Sequence, residues 1–201
     1  MKPSSPLKSL CPFVVIPVLM VGIVLGGCSY SVAADDDKQP SVGETAPKLE
    51  LRSYDSGTIN LEEAVRKGPV VVMVLRGNPG YQCPLCTRQV GQFIKAAKNL
   101  ESLNATVLMV YPGPEAGLDV KANEFLKDTK LPPGFHLLID PDYSFTNDWH
   151  LRWEAPRETA YPSTFVVDKE GTIRFAKISK THGDRAPVED VIKSLKKLKS
   201  Q

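Results

Sequence analysis

Pro79-Gly80-Tyr81-Gln82-Cys83-Pro84-Leu85-Cys86-Thr87 decides how the rest of the chain reads. It follows Val70-Val71-Val72-Met73-Val74-Leu75, a continuous apolar run rich in β-branched residues, as found in strands covered on both faces. Beyond it, Val90, Phe93, Ile94, Ala97, Leu100 and Leu103 recur at steps of three and four. That spacing predicts one helix from about Cys83 to Leu103. Two cysteines with two residues between them, at a strand-to-helix junction, form a candidate redox dithiol. Pro84 suits the first helical position, where its missing N–H costs nothing. Cys83 then becomes the cap residue, facing unpaired amides that favour thiolate over thiol, and Cys86 in the same turn feels the same groups. Positions three apart on a helix are neighbours, so a Cys83–Cys86 disulfide can close with little backbone movement. A purely structural disulfide is the plain alternative. A zinc knuckle needs four ligands, and His136, His150 and His182 stand isolated, without ligand spacing to the pair.

Outward from the motif, the chain alternates strands and helices. Leu49-Glu50-Leu51 and Thr58-Ile59-Asn60-Leu61 read as a hairpin about Asp55-Ser56-Gly57, and Asn60 caps a short helix to Lys67. Downstream come a strand at 106–111, a helix near 116–128, a strand at 135–139 and a short helix at 143–149. A strand over 161–168 follows, turning at Lys169-Glu170-Gly171 into a return strand at 172–176. The last helix, about 187–199, buries Val188, Val191, Ile192, Leu195 and Leu198, with acids early and lysines late as the dipole favours. This order is an α/β layer fold with a mixed central sheet flanked by helices. With Cys-Pro-Leu-Cys after the first central strand, it resembles the thioredoxin fold.

The N-terminus reads as an address. Lys2 and Lys8 precede an uncharged apolar stretch, Cys11 to Leu25, of signal-peptide length and interrupted by Pro12, Pro17 and Gly22. Leu25-Gly26-Gly27-Cys28 resembles the lipobox of bacterial lipoproteins, which implies lipidation of Cys28 and a membrane anchor on an exported, periplasm-facing protein of the cell envelope. Cleavage within Ser31-Val32-Ala33-Ala34 is the simpler secretory alternative. Residues 1–27 are thus the signal peptide, 28–43 a polar tether containing Asp35-Asp36-Asp37, and 44–201 the folded domain. Adjacent acids without turn glycines lack a calcium loop's spacing, so the tether is a solvated spacer. The first 27 residues hold two lysines and no acid, so of 25 basic and 23 acidic residues the remainder carries 23 of each. A neutral domain excludes nucleic acid as a partner.

Three segments resemble the peroxiredoxin-like redoxins of the AhpC/TSA family: Val42-Gly43-Glu44-Thr45-Ala46-Pro47, Val74-Leu75-Arg76-Gly77 through Cys83-Pro84-Leu85-Cys86, and Pro162-Ser163-Thr164-Phe165-Val166-Val167-Asp168 with Gly171 and Ile173. The resemblance implies a catalytic Cys83/Cys86 pair with no metal or organic cofactor. It also implies a cis peptide before Pro162 that lets Tyr161 pair with an extended substrate. Peroxiredoxins carry Pro-x-x-x-Thr-x-x-Cys. Here Pro79 and Cys86 sit at that spacing, and Cys83 replaces the threonine. By that carry-over Cys86 attacks and Cys83 resolves, whereas thioredoxin logic gives the reverse order. The family's arginine belongs where Tyr161-Pro162 stands; Arg157 is out of register and Arg76 lies before the motif. Two activities follow: reduction of a hydroperoxide with an external thiol reductant, or exchange with protein disulfides. A non-catalytic lipoprotein with a structural disulfide is the third reading.

Overall fold

The computed structural model describes residues 38–127 and 129–200. The apolar N-terminal stretch, Cys11, the Leu25–Cys28 motif and the tether as far as residue 37 lie outside the described residues. Among those described, no helix is long and apolar enough to cross a membrane.

Among the described residues, seven strands form one mixed sheet. They are β1 (Glu50–Ser53), β2 (Thr58–Asn60), β3 (Val70–Val74), β4 (Thr106–Gly113), β5 (Phe135–Pro141), β6 (Ser163–Val167) and β7 (Ile173–Ile178). Their order across the sheet is β2-β1-β5-β4-β3-β6-β7. The centre, β3-β4-β5, is parallel, and β1, β6 and β7 pair antiparallel with their neighbours. The helices of the described residues surround it: α1 (Leu61–Lys67), α2 (Pro84–Lys95), α3 (Ala97–Ser102), α4 (Leu118–Leu126), α5 (Ser144–Asp148) and α6 (Val188–Lys199).

The unbroken apolar run of β3 is explained by coverage on both faces. Successive side chains point to opposite sides of a strand. Val71, Met73 and Leu75 enter one core with both cysteines, Phe93 of α2, Ala122 of α4 and Val191 of α6. Val70, Val72 and Val74 enter the other, with Leu61 and Val65 of α1, Phe145 of α5 and Trp149. Each fully buried side chain of this size contributes roughly 1.5–3 kcal/mol of hydrophobic stabilisation. Asn60 caps α1 as its position predicts, its side-chain oxygen accepting from the Glu62 amide at 2.8 Å.

Three boundaries differ from the sequence reading. The helix expected over Cys83–Leu103 divides at Ala96, whose amide is shared between the Gln92 and Phe93 carbonyls at 3.2 and 3.1 Å, and the chain restarts as α3. The strand expected from Tyr161 begins at Ser163, because Tyr161 and Pro162 bond outside the ladder. Residues 38–43, placed in the tether by sequence, are attached to the domain. Gln39 donates to the His150 carbonyl at 3.2 Å, Pro40 is buried, and the Gly43 amide donates to Ile173 at 2.9 Å.

Gly77 holds the exit from β3. Its φ is +68°, and a Cβ placed there would lie 1.9 Å from the Pro112 carbonyl oxygen. That oxygen also accepts the Asn78 amide at 3.1 Å, which keeps the cysteine turn alongside the end of β4. A left-handed conformation alone costs a side-chain-bearing residue about 1–2 kcal/mol. With backbone displacement added, Gly77→Ala is expected to destabilise the domain by about 3 kcal/mol or more. Urea unfolding measures this; a loss below about 1 kcal/mol would show that the close approach is not needed.

Candidate active site

The sheet delivers the dithiol from the C-terminal end of β3. Leu75 still bonds to Val110 of β4 at 2.9 Å. The chain then turns, with the Asn78 side chain accepting the Gly80 amide at 2.7 Å. Gln82 pins the turn from two sides: its amide group donates to the Lys121 carbonyl at 2.8 Å, and its oxygen accepts from the Tyr111 hydroxyl at 2.9 Å. Cys83 is the N-cap of α2 and Pro84 its first helical residue, as expected, although the Cys83 side chain makes no cap hydrogen bond.

Both cysteines are free thiols. They are nearly closed to solvent: Cys83 is 3% exposed and Cys86 fully buried. Both sulfurs belong to the apolar core beneath the helix tip, and their cover is Arg185, in the loop between β7 and α6. Its guanidinium Nη2 lies 3.8 Å from Cys83 Sγ and 3.5 Å from Cys86 Sγ. Its Nη1 donates to Gln89 Oε1 at 2.8 Å, and its Nε donates to the His182 carbonyl at 2.8 Å. Gln89 is itself buried, one turn along α2 from Cys86, and its amide group reaches Thr164 Oγ1 of β6 at 3.4 Å.

The two thiols differ in acidity. The Cys86 thiol donates to the Cys83 sulfur and is the largest cause of a lowered Cys83 pKa. The backbone amides of Cys86 and Leu85 and the charge of Arg185 act in the same direction, outweighing burial, and the result is about 5. The donor's role reverses the effect at Cys86: holding its proton for Cys83, and buried, it is pushed well above the ordinary thiol range against the pull of Arg185. The pair therefore carries one proton between two sulfurs through the neutral range and titrates as a unit. In such a pair the thiolate is favoured at Cys83, beside the Arg185 guanidinium, and the proton at Cys86.

Neither arginine near the motif in sequence supplies that charge. The Arg76 side chain is turned away and buried. Its Nε donates to Glu158 at 2.7 Å, its Nη2 to the Arg157 carbonyl at 2.7 Å and its Nη1 to the Tyr81 hydroxyl. Arg157 contributes only that carbonyl to the network. Arg185 was not legible in the sequence, because nothing in Ser179-Lys180-Thr181-His182-Gly183-Asp184-Arg185 marks a site, and it stands 102 residues from Cys83. His182, read as isolated, is instead paired with Glu158, Nε2 to Oε1 3.0 Å.

Tyr161 and Pro162 lie at the mouth of β6, whose first residue, Ser163, stands opposite Val74 at the end of β3. They are at the end of the sheet from which β3 leads into the cysteine turn. The backbone pairing expected of Tyr161 is not open, however: its amide already donates to the Leu151 carbonyl at 2.8 Å, and its carbonyl accepts the Ser163 hydroxyl at 2.7 Å. The Tyr161 ring stacks on Trp153, with centroids 4.9 Å apart and planes 11° from parallel. Among the described residues, no group of three or more His, Cys, Asp or Glu side chains is placed to hold a metal.

Comparison with known proteins agrees with this architecture. The AhpC/TSA family profile matches residues 42–176. The chain belongs to the AhpC/TSA family, and it is an oxidoreductase with the thioredoxin-like fold. The peroxidoxin BcpB of Mycobacterium tuberculosis is similar in structure, with a TM-score of 0.66 at 19% identity over 80% of this chain and 99% of that one. Mycobacterium tuberculosis AhpC superposes with a TM-score of 0.63 at 18% identity, covering 81% and 95% of the two chains. A yeast mitochondrial 1-Cys peroxiredoxin, described with a thiol resolving mechanism via glutathione/thioredoxin systems, gives 0.63 at 16% identity over 80% and 76%. None of the curated proteins matches in sequence.

Proposed function

We propose that the protein is a thiol peroxidase in which Cys83 attacks a hydroperoxide and Cys86 resolves the product. One observation carries this reading: a single guanidinium, Arg185, spans both sulfurs of a nearly closed pair. The Cys83 thiolate attacks one oxygen of the O–O bond. A sulfur–oxygen bond forms, the O–O bond breaks, and the departing alkoxide or hydroxide takes a proton from solvent. The Cys83 sulfenic acid is then attacked by Cys86. The disulfide forms, and the hydroxyl leaves as water with the Cys86 proton. An external thiol reductant, oxidised in turn to its disulfide, restores the two thiols. Arg185 compensates negative charge on sulfur and on the departing oxygen.

The alternative, exchange with protein disulfides, is favoured less by this geometry. A pair 3% and 0% exposed suits a small peroxide better than a folded partner, and the Tyr161 amide is already in use. Stopped-flow oxidation with hydrogen peroxide tests the proposal. Because the Cys83 pKa is lowered to about 5, the rate is expected to rise with pH through about 5 and to be level from pH 6.5 to 8, following the thiolate. Inertness towards peroxide, with rapid reduction of a protein disulfide, would transfer the assignment to the alternative.

The reading extends to location. The Leu25–Cys28 motif supports export and lipid anchoring in a bacterial envelope. Incorporation of labelled palmitate that is lost in Cys28→Ala is the expected result.

A further inference from the structure

Arg185 is held by groups outside the dithiol, and they form a connected set. Its Nε is bonded to the carbonyl of His182, three residues earlier in the same loop. The His182 ring bonds to Glu158 Oε1 at 3.0 Å and packs on Trp153 at a centroid distance of 5.1 Å. Glu158 cannot swing away, because its other oxygen accepts from Arg76 Nε at 2.7 Å, and Arg76 is buried at the exit of β3. The Arg76 carbonyl in turn accepts the Thr159 hydroxyl, so residues 157–159 are fastened to the segment that leads into the cysteine turn. Against this, the β7–α6 loop holds itself with little. Ser179 bonds to Pro162 at 2.9 Å and to Asp184 within the loop, Asp184 also meets Lys177 at an exposed ion pair, Thr181 caps Asp184 weakly at 3.2 Å, and the Arg185 amide donates to the Gly183 carbonyl at 3.0 Å, which fixes backbone but not the guanidinium. Exposed ion pairs of that kind contribute little.

We infer that His182, through Glu158 and Arg76, is a positioning residue that holds Arg185 over the two sulfurs. It touches neither sulfur. It acts by fixing the carbonyl to which the guanidinium is tied, and Gln89 fixes the other end. The β3 exit therefore specifies both the place of the thiols and, through Arg76, Glu158 and His182, the place of the cation that compensates them. The inference rests on the reading of Cys83 as the attacking thiolate, and its test does not need turnover.

The test is a pH titration of thiolate absorbance near 240 nm in the whole domain, for His182→Ala, His182→Gln, Glu158→Gln, Arg185→Met and the double variant His182→Ala/Arg185→Met. His182 is 41% exposed at its side chain, so its replacement leaves the core intact. Losing the tether of Arg185 is expected to raise the thiolate midpoint by about one pH unit in His182→Ala, a tenfold loss of thiolate below it. Glu158→Gln should move it the same way. His182→Gln, which can still donate to Glu158, should recover most of the shift. Arg185→Met should raise the midpoint at least as far, and adding His182→Ala to it should change nothing more. The inference is overturned if His182→Ala leaves the midpoint in place while Arg185→Met moves it, or if the two shifts simply add. A wild type that shows the midpoint and the predicted shifts but does not react with peroxide would instead remove the peroxidase reading and leave the positioning role standing.

Discussion

Cys83→Ser is expected to abolish reaction with hydroperoxide, by about 10⁴-fold or more, because it removes the sulfur whose surroundings favour the thiolate. Cys86→Ala should behave differently. Attack still occurs, but the sulfenic acid has no neighbour to condense with, so it accumulates and is trapped by dimedone after a single oxidation. The attack itself should also weaken in acid. The Cys86 thiol is the largest contributor to the low Cys83 pKa, so its loss raises that pKa. A raised thiol pKa means less thiolate at a given pH, and the deficit should be large at pH 6 and small at pH 9. The opposite result, a sulfenic acid at Cys86 in Cys83→Ser and none at Cys83 in Cys86→Ala, would show that the family's spacing and not the local hydrogen bonds decides the roles. Stopped-flow fluorescence with mass spectrometry of the trapped adduct distinguishes the two.

Arg185→Met should slow the peroxide step by about 10²-fold, the effect of removing one donor aimed at developing charge in a largely buried site. Methionine keeps much of the side chain's bulk, so the loss reports charge and hydrogen bonding. Arg185→Lys should recover only part. An ammonium is a point charge, and it cannot reach Gln89 Oε1, the His182 carbonyl and two sulfurs at once as the planar fork does. A methionine variant within about twofold of wild type would remove Arg185 from the mechanism.

Most of the fold was legible because the signals were local. The run Val70–Val74 can be buried on both faces only in a central strand, the stripe of α6 repeats at helical spacing, and Asn60 caps α1 with its own side chain. The dithiol was legible for the same reason: proline at the first helical position places Cys83 at the cap. What the sequence did not reveal depends on contacts between distant segments. Arg185 reaches the sulfurs only because β7 and α6 bring its loop back over the tip of α2. Glu158 and His182 are 24 residues apart and meet only in the folded chain. The division at Ala96 had no proline or glycine at the break to announce it. The closure of the pair was not legible either, because exposure at a helix tip depends on what the rest of the chain lays across it.

Cys83 and Cys86 share a single helical turn, and that proximity has a consequence for durability. Residues three apart on a helix are neighbours, so joining the two sulfurs asks for little movement of the backbone. On the proposed assignment the Cys83 sulfenic acid would form beside the thiol that condenses with it, so little sulfinic acid is expected by mass spectrometry after treatment with excess peroxide.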